Sequence, residues 1–322
     1  PGLHADRPQS YTLVQTKDRR GFPSGYTLSV DSVVCPEKTC LISTVRMTWD
    51  ALGHYQRYEL PPGEFLEKGV AARRSPAAAG AAAPWKGVRF AEADYKKLDA
   101  ILRDERSLLG QQQLGGLGQP RSGDLVDGIT GATPASIRDA VVEGASLTCY
   151  NLWHWAHGEV ADRAKELTHR QCGEAMLLSF LASDRPHYAL FALEHLRLHG
   201  LFGPSAVREV GAAMRGGDRD RIDLGLAYLR EALPEPEAFY GNLASLIAAS
   251  TGEGRAYLLD RLASERALPG RFFDALSAGL PSWGSYYEIH LFFRLAEKHG
   301  YGSPALVAQA AQLMETSDFF VA

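Results

Sequence analysis

The chain has 322 residues, 45% of them hydrophobic and 22% charged, an ordinary globular composition that excludes wholesale disorder. The formal net charge is −4, and residues 170–322 hold 14 basic and 18 acidic side chains against 20 of each in 1–169, so neither half has the basic excess that a nucleic-acid partner demands. No window approaches the roughly 18 consecutive apolar residues of a membrane-spanning helix, and no transmembrane segment is expected.

The chain begins at Pro1 rather than an initiator Met, as expected of a processed or trimmed product whose export signal is gone. From Tyr11 to about Glu67 the pattern is that of strands. Residues 26–34 and 41–48 alternate with period two and are rich in β-branched side chains, which predicts a strand pair; Tyr55–Leu60 is a candidate third strand, stopped by Pro61-Pro62-Gly63. Cys35 and Cys40 bracket a four-residue loop between the first two strands, where disulfide geometry is accessible. A bridge there favours an oxidising compartment. Two free thiols or a zinc site are the competing readings, though C-x4-C is a poor zinc spacing and no second Cys/His pair stands nearby. Cys149 and Cys172 read as ordinary buried thiols.

The low-complexity stretch 75–84 reads as a surface loop. Residues 91–109 carry helical Ala/Leu/Ile spacing ended by Gly110, and the Gln/Gly-rich run at 110–120 is a second loop. A continuous helix is predicted from Pro134 to about His157. Its end, Trp153-His154-Trp155-Ala156-His157, lies about 30 Å from its start on that reading and is expected to pack between domains. Trp49, Tyr55, Tyr58 and Trp85 are nearer candidates for stacking on an aromatic ligand, with core packing as the default for each.

From Cys172 onward helical stripes recur, among them Ala189/Leu190/Leu193/Leu196, Val207/Val210/Gly211/Met214, Ile222/Leu226/Leu229/Leu233 and Ile289/Phe292/Phe293/Ala296. Gly- or Pro-containing turns separate them at 200–204, 216–217, 234–236, 251–254, 269–270, 280–284 and 300–304. This predicts eight or nine helices, paired at intervals of 30–40 residues as in a HEAT- or TPR-like α-solenoid. No strict repeat consensus is visible, and an irregular helical bundle is the other reading. His195 and His199 sit at i, i+4 beside Glu194, but no third metal ligand accompanies them; histidine is favoured there simply because Gly200 ends the helix.

The most distinctive stretch is Asp127-Gly128-Ile129-Thr130-Gly131-Ala132-Thr133, followed by Pro134 and Ser136. Pro suits a first helical position, Thr133 then falls at the N-cap, and the glycines let the backbone approach a ligand closely. Thr130, Thr133 and Ser136 add hydroxyls where a helix N-terminus favours an anion. A well-capped helix after a tight turn, with no ligand, explains the same residues.

Residues 127–133 match the pattern D-G-x-(S/T)-(S/G)-A-T at every defined position. In this the chain resembles the FMN-binding domains of the C subunit of sodium-pumping NADH:quinone reductase and of the G subunit of the Rnf complex. In that family a flavin transferase joins the FMN phosphate to the last threonine of the motif, here Thr133. The resemblance therefore implies covalent FMN on Thr133, with Asp127, Gly128, Thr130, Gly131, Ala132 and Ser136 around it. It covers roughly residues 25–160; residue Thr130 stands for the commoner Ser, and Pro134-Ala135 fill the variable pair. A threonine hydroxyl is a poor nucleophile, which is why a separate enzyme must drive the attachment.

The expected architecture is an α+β FMN-binding domain over 1–160 followed by an all-α HEAT/TPR-like solenoid over 161–322. The expected function is extracytoplasmic electron transfer, with the flavin transferase as maturation partner and a redox protein or membrane complex as working partner. The alternative is a structural subunit that keeps the flavin-domain fold without flavin. No dinucleotide fingerprint, phosphate loop, nucleophile elbow or haem attachment motif is present in the sequence.

Overall fold

The computed structural model describes residues 10–35, 41–60, 65–66, 90–111 and 141–315. The chain divides into two compact units, Pro1–Gln171 and Cys172–Ala322.

The first unit is built on an antiparallel sheet: β1 (Val14–Lys17), β2 (Pro23–Val34), β3 (Leu41–Asp50) and β4 (Tyr55–Glu59) in that order, with β5 (Phe65–Leu66) also pairing β3. The predicted pair is the longest, running from Gly25↔Asp50 to Val34↔Leu41. Period-two alternation puts Leu28, Val30, Ser32 and Val34 of β2 and Ser43, Val45, Met47 and Trp49 of β3 on one buried face. The β3–β4 turn is closed by Asp50, whose Oδ1 accepts from the backbone N–H groups of Leu52 and His54 at 2.9 and 3.1 Å. β1 is missed by the sequence pattern, because its side chains are mostly exposed and give no alternation.

Two helices form the other wall of this core. Residues 91–109 do not make one helix: α1 spans Glu92–Arg103, breaks at Asp104, and a separate single turn covers Leu108–Gln111. The predicted helix from Pro134 to His157 is also corrected. Residues 141–145 are not helical, Gly144 takes a left-handed φ of 74°, and α2 runs only from Ser146 to His157. A left-handed glycine cannot continue a right-handed helix, so the chain turns there and starts again. Helix α3 (Glu159–Gln171) follows directly.

The second unit contains nine helices among the described residues: α4 (Glu174–Leu181), α5 (Pro186–Leu198), α6 (Pro204–Arg215), α7 (Arg219–Ala232), α8 (Pro236–Ala249), α9 (Gly252–Leu262), α10 (Gly270–Ser277), α11 (Tyr286–Lys298) and α12 (Pro304–Met314). Helices α4, α6, α8, α10 and α12 contact one another in series, as do α5, α7, α9 and α11. The first series starts at Glu174, Pro204, Pro236, Gly270 and Pro304, a spacing of 30 to 34 residues. Four of these helices carry Pro or Gly at the first position, and the predicted turns fall at helix junctions, except that 252–254 of the turn predicted at 251–254 already belong to α9.

A short repeat hides in this periodicity. His199-Gly200-Leu201-Phe202-Gly203-Pro204 and His299-Gly300-Tyr301-Gly302-Ser303-Pro304 share H-G-x-x-x-P. Both glycines are left-handed, with φ of 62° and 60°. The N–H of Leu201 bonds the carbonyl of Leu196, and that of Tyr301 bonds Ala296, each at 2.9 Å. These are paired Schellman stops, which end one helix and aim the chain into the next.

Candidate functional site

Asp127, Gly128, Thr130, Gly131, Ala132, Thr133 and Ser136 lie outside the described residues, as do Cys40 and Trp85. The described chain resumes at Val141. Val141 and Val142 are buried in the core of the first unit, and the N–H of Val142 points to the Cys149 sulfur at 3.3 Å. One residue earlier on α2, Thr148 Oγ1 accepts from the Cys35 N–H at 2.7 Å. The far end of the β2–β3 pair, residues 141–142 and the first turn of α2 therefore meet at one place.

Helix α2 is buried nearly all round, including Ser146, Thr148, Cys149, Tyr150, Asn151, Leu152, Trp153, Trp155 and Ala156. A helix without a solvent face is central to its unit. Trp153–His157, expected about 30 Å from the start of a continuous helix and packing between domains, makes its hydrogen bonds within the first unit. Trp153 Nε1 donates to the Asp104 carbonyl at 2.9 Å, His157 Nε2 bonds the Leu102 carbonyl at 2.8 Å, and Trp49 Nε1 donates to the Ala156 carbonyl at 2.7 Å. The other stacking candidates are engaged as well: Tyr55 donates to Asp99 at 2.9 Å and Tyr58 to the Tyr95 carbonyl at 3.2 Å. Burial raises both phenols well above the usual range.

Three buried polar atoms of this unit have no hydrogen-bond partner: Ser43 Oγ, His154 Nε2 and Trp155 Nε1. Ser43 is 1% exposed and Trp155 6%. Such atoms cost stability unless a ligand or water completes them. Burial lowers the His154 pKa, against the opposing hydrogen bond with the Leu109 backbone, so its ring is neutral at pH 7. The three atoms stand on different elements, Ser43 on β3 and His154 and Trp155 on α2.

Searches of family models, curated proteins and solved structures return no match.

Cys149 and Cys172 are free thiols, both raised by burial to about 11, so neither is a reactive thiolate at neutral pH. Cys35 is buried at the end of β2 and is not one of the free thiols. His195 and His199 have ring centroids 5.9 Å apart, and His195 Nδ1 is taken by the Phe191 carbonyl at 2.9 Å. Among the described residues no group of three or more His, Cys, Asp or Glu is placed to hold a metal, and no helix is long and apolar enough to cross a membrane. Sequence reasoning missed Ser43 and Trp155 as candidates. The signal for Ser43 was its pairing with Ser32 in an otherwise apolar alternation.

Proposed function

We propose that this chain is an extracytoplasmic flavoprotein whose first unit carries FMN on Thr133 and whose helical unit, read as a HEAT/TPR-like solenoid, docks a redox partner. The observation that carries the proposal is the heptad Asp127–Thr133, complete at every defined position. The surroundings of its exit support it. Seven residues lie between Thr133 and Val141, so covalent geometry alone limits the distance between them to about 27 Å over eight residue steps. Val141 and Val142 enter the core at the first turn of α2, where Thr148 bonds the Cys35 N–H at the end of β2.

Attachment balances as a transfer from FAD. Thr133 Oγ forms the new O–P bond, the pyrophosphate bond of FAD breaks, AMP leaves, and the hydroxyl proton passes to solvent. FMN held there would supply one- and two-electron transfer. The chain's own part is to anchor the phosphate, to exclude water with the apolar face of Val30, Val34 and Val45, and to offer hydrogen bonds from the buried polar atoms. A Cys35–Cys40 bridge, joining residues that follow Val34 and precede Leu41 in the paired strands, fits an oxidising location. The next-but-one helix contacts and the 30–34-residue spacing support the solenoid reading, and solenoids present extended surfaces to partners.

The test is the visible absorbance of protein produced alongside the flavin transferase. Flavin bands that survive denaturation and desalting support covalent FMN; a colourless protein returns the chain to the structural-subunit alternative.

A further inference from the structure

We propose that the solvent-facing side of the first unit's sheet binds a small, doubly charged oxyanion, a phosphate monoester or a dicarboxylate, between Arg46 and Arg57. The proposal is independent of the FMN reading and uses the face opposite the one that carries the core.

Cross-strand rows bring the residues together. On this face Ser29 pairs with Arg46 and Thr27 with Thr48, and Thr48 pairs in turn with Arg57 of β4. Arg46 and Arg57 are therefore diagonal neighbours on adjacent strands, within reach of one bound group through their long side chains. The segment that leads into β1 and carries Tyr11 completes the wall of a cavity of about 560 Å³ over these rows. An edge-on contact with the Trp155 ring, centroids 5.0 Å apart, holds Tyr11 in place.

An antiparallel sheet with one face in water carries polar residues there as a matter of course, so the hydroxyls alone would mean little. The arginines go further. The cavity lining holds both guanidinium groups and no carboxylate. Glu59, outside the lining, meets them only loosely, at 3.8 Å from Arg46 and 3.4 Å from Arg57. Asp31, next along β2 on the same face, is also outside the lining and accepts from the Thr44 hydroxyl at 2.7 Å. Among the described residues neither guanidinium makes a hydrogen bond, and their side chains are 59% and 66% exposed.

This chemistry narrows the ligand. A guanidinium offers its N–H groups in a planar fork that matches two oxygens of a phosphate or carboxylate. Two forks on neighbouring strands suit a group with oxygens on both sides, either a phosphate dianion or two carboxylates on a short chain. The hydroxyls of Thr27, Ser29 and Thr48 add donors on the same face. The volume leaves room for a small organic remainder. Because the cavity is open and its charges are hydrated, binding should weaken as salt is added.

Isothermal titration calorimetry of the full chain with glycerol 3-phosphate and with succinate tests the proposal. At low salt at least one probe is expected to bind wild type with a Kd of about 1 mM or below. The probe that binds identifies the oxyanion. The double variant Arg46→Gln/Arg57→Gln should lose about tenfold or more in affinity, the worth of a charged hydrogen bond. Glu59→Gln, which removes the competing carboxylate, should bind more tightly. Unchanged thermal melting of these surface variants shows that each is folded. No binding of either probe up to about 10 mM overturns the proposal, as does a double variant within about threefold of wild type or a Glu59→Gln variant that binds more weakly. None of these outcomes bears on flavin loading at Thr133, which is read separately by mass.

Discussion

Tyr26 and Thr168, 142 positions apart, share a buried hydrogen bond of 2.8 Å. Thr168 Oγ1 also donates to the Ala51 carbonyl at 2.5 Å, so it accepts from the Tyr26 hydroxyl, which in turn accepts from Gln15 Nε2 at 2.8 Å. One threonine thus joins β1, β2, the β3–β4 turn and α3. Thr168→Val keeps the shape but removes the acceptor of the Tyr26 O–H and one donor to the Ala51 carbonyl. A loss of about 1–3 kcal/mol is expected, measured by urea unfolding of the first unit's fluorescence transition. Val at 168 with unchanged stability would show the chain of bonds to be unimportant.

The turn that Thr168 supports depends on Gly53. Its φ is 82°, and a Cβ there would lie 2.2 Å from the Ala161 carbonyl oxygen. Both the backbone conformation and the contact with α3 forbid a side chain. Gly53→Ala is expected to cost about 2 kcal/mol or more. Gly284→Ala, where a Cβ meets nothing within 4 Å, is the control and should stay near wild type in the same melt.

In the helical unit Arg255 and Glu288 form a buried ion pair at 2.8 Å, with side chains only 7% and 4% exposed. Arg255 also donates to the carbonyls of Ile247, Ala248 and Ser250 and lies 4.4 Å from the Trp283 ring centroid. Glu288→Gln leaves that guanidinium without its counter-charge, and a loss of about 3–5 kcal/mol is expected. Arg255→Met with Glu288→Leu should recover much of it, since replacing both members by apolar groups is often close to neutral. Chemical denaturation of wild type and the two variants reads both effects.

Stability should fall with acidity between pH 7.5 and 5. Burial lowers the pKa of His157, outweighing its Leu102 hydrogen bond and the nearby Glu105 and Asp104 carboxylates, and burial likewise lowers His154. Both rings are neutral in the folded state, whereas in the unfolded chain they take up protons below about pH 6.5. Their contribution is complete above that value and is lost as pH falls through it toward the depressed folded pKa. Urea midpoints at several pH values should show this slope, and His157→Gln should flatten it.

The parts of the fold legible in the sequence were those with strong period. The β2–β3 pair announced itself through alternation that the buried face of Val30, Val34, Val45 and Met47 explains, and the helical half through its Pro- and Gly-marked turns. Helix α2 was misread in extent because Ala135 to Val142 keeps an apolar spacing that ignores Gly144, and a single left-handed glycine outweighs several favourable neighbours. Its end was expected between domains because a continuous helix from Pro134 would carry Trp153–His157 about 30 Å from its start, whereas α2 begins only at Ser146 and is buried nearly all round. The H-G-x-x-x-P repeat was visible in the letters at 199–204 and 299–304, but its meaning needed the Schellman bonds. The stretch 127–133 pointed to a flavin only by resemblance, since its glycines and hydroxyls alone also describe an ordinary capped helix.

The most direct measurement is the intact mass of the chain and of Thr133→Ala, each co-produced with the flavin transferase. Wild type should gain the mass of one FMN less one water and fluoresce as flavin in a denaturing gel, while Thr133→Ala should do neither. An unmodified wild-type mass, or flavin retained by Thr133→Ala, would contradict the account.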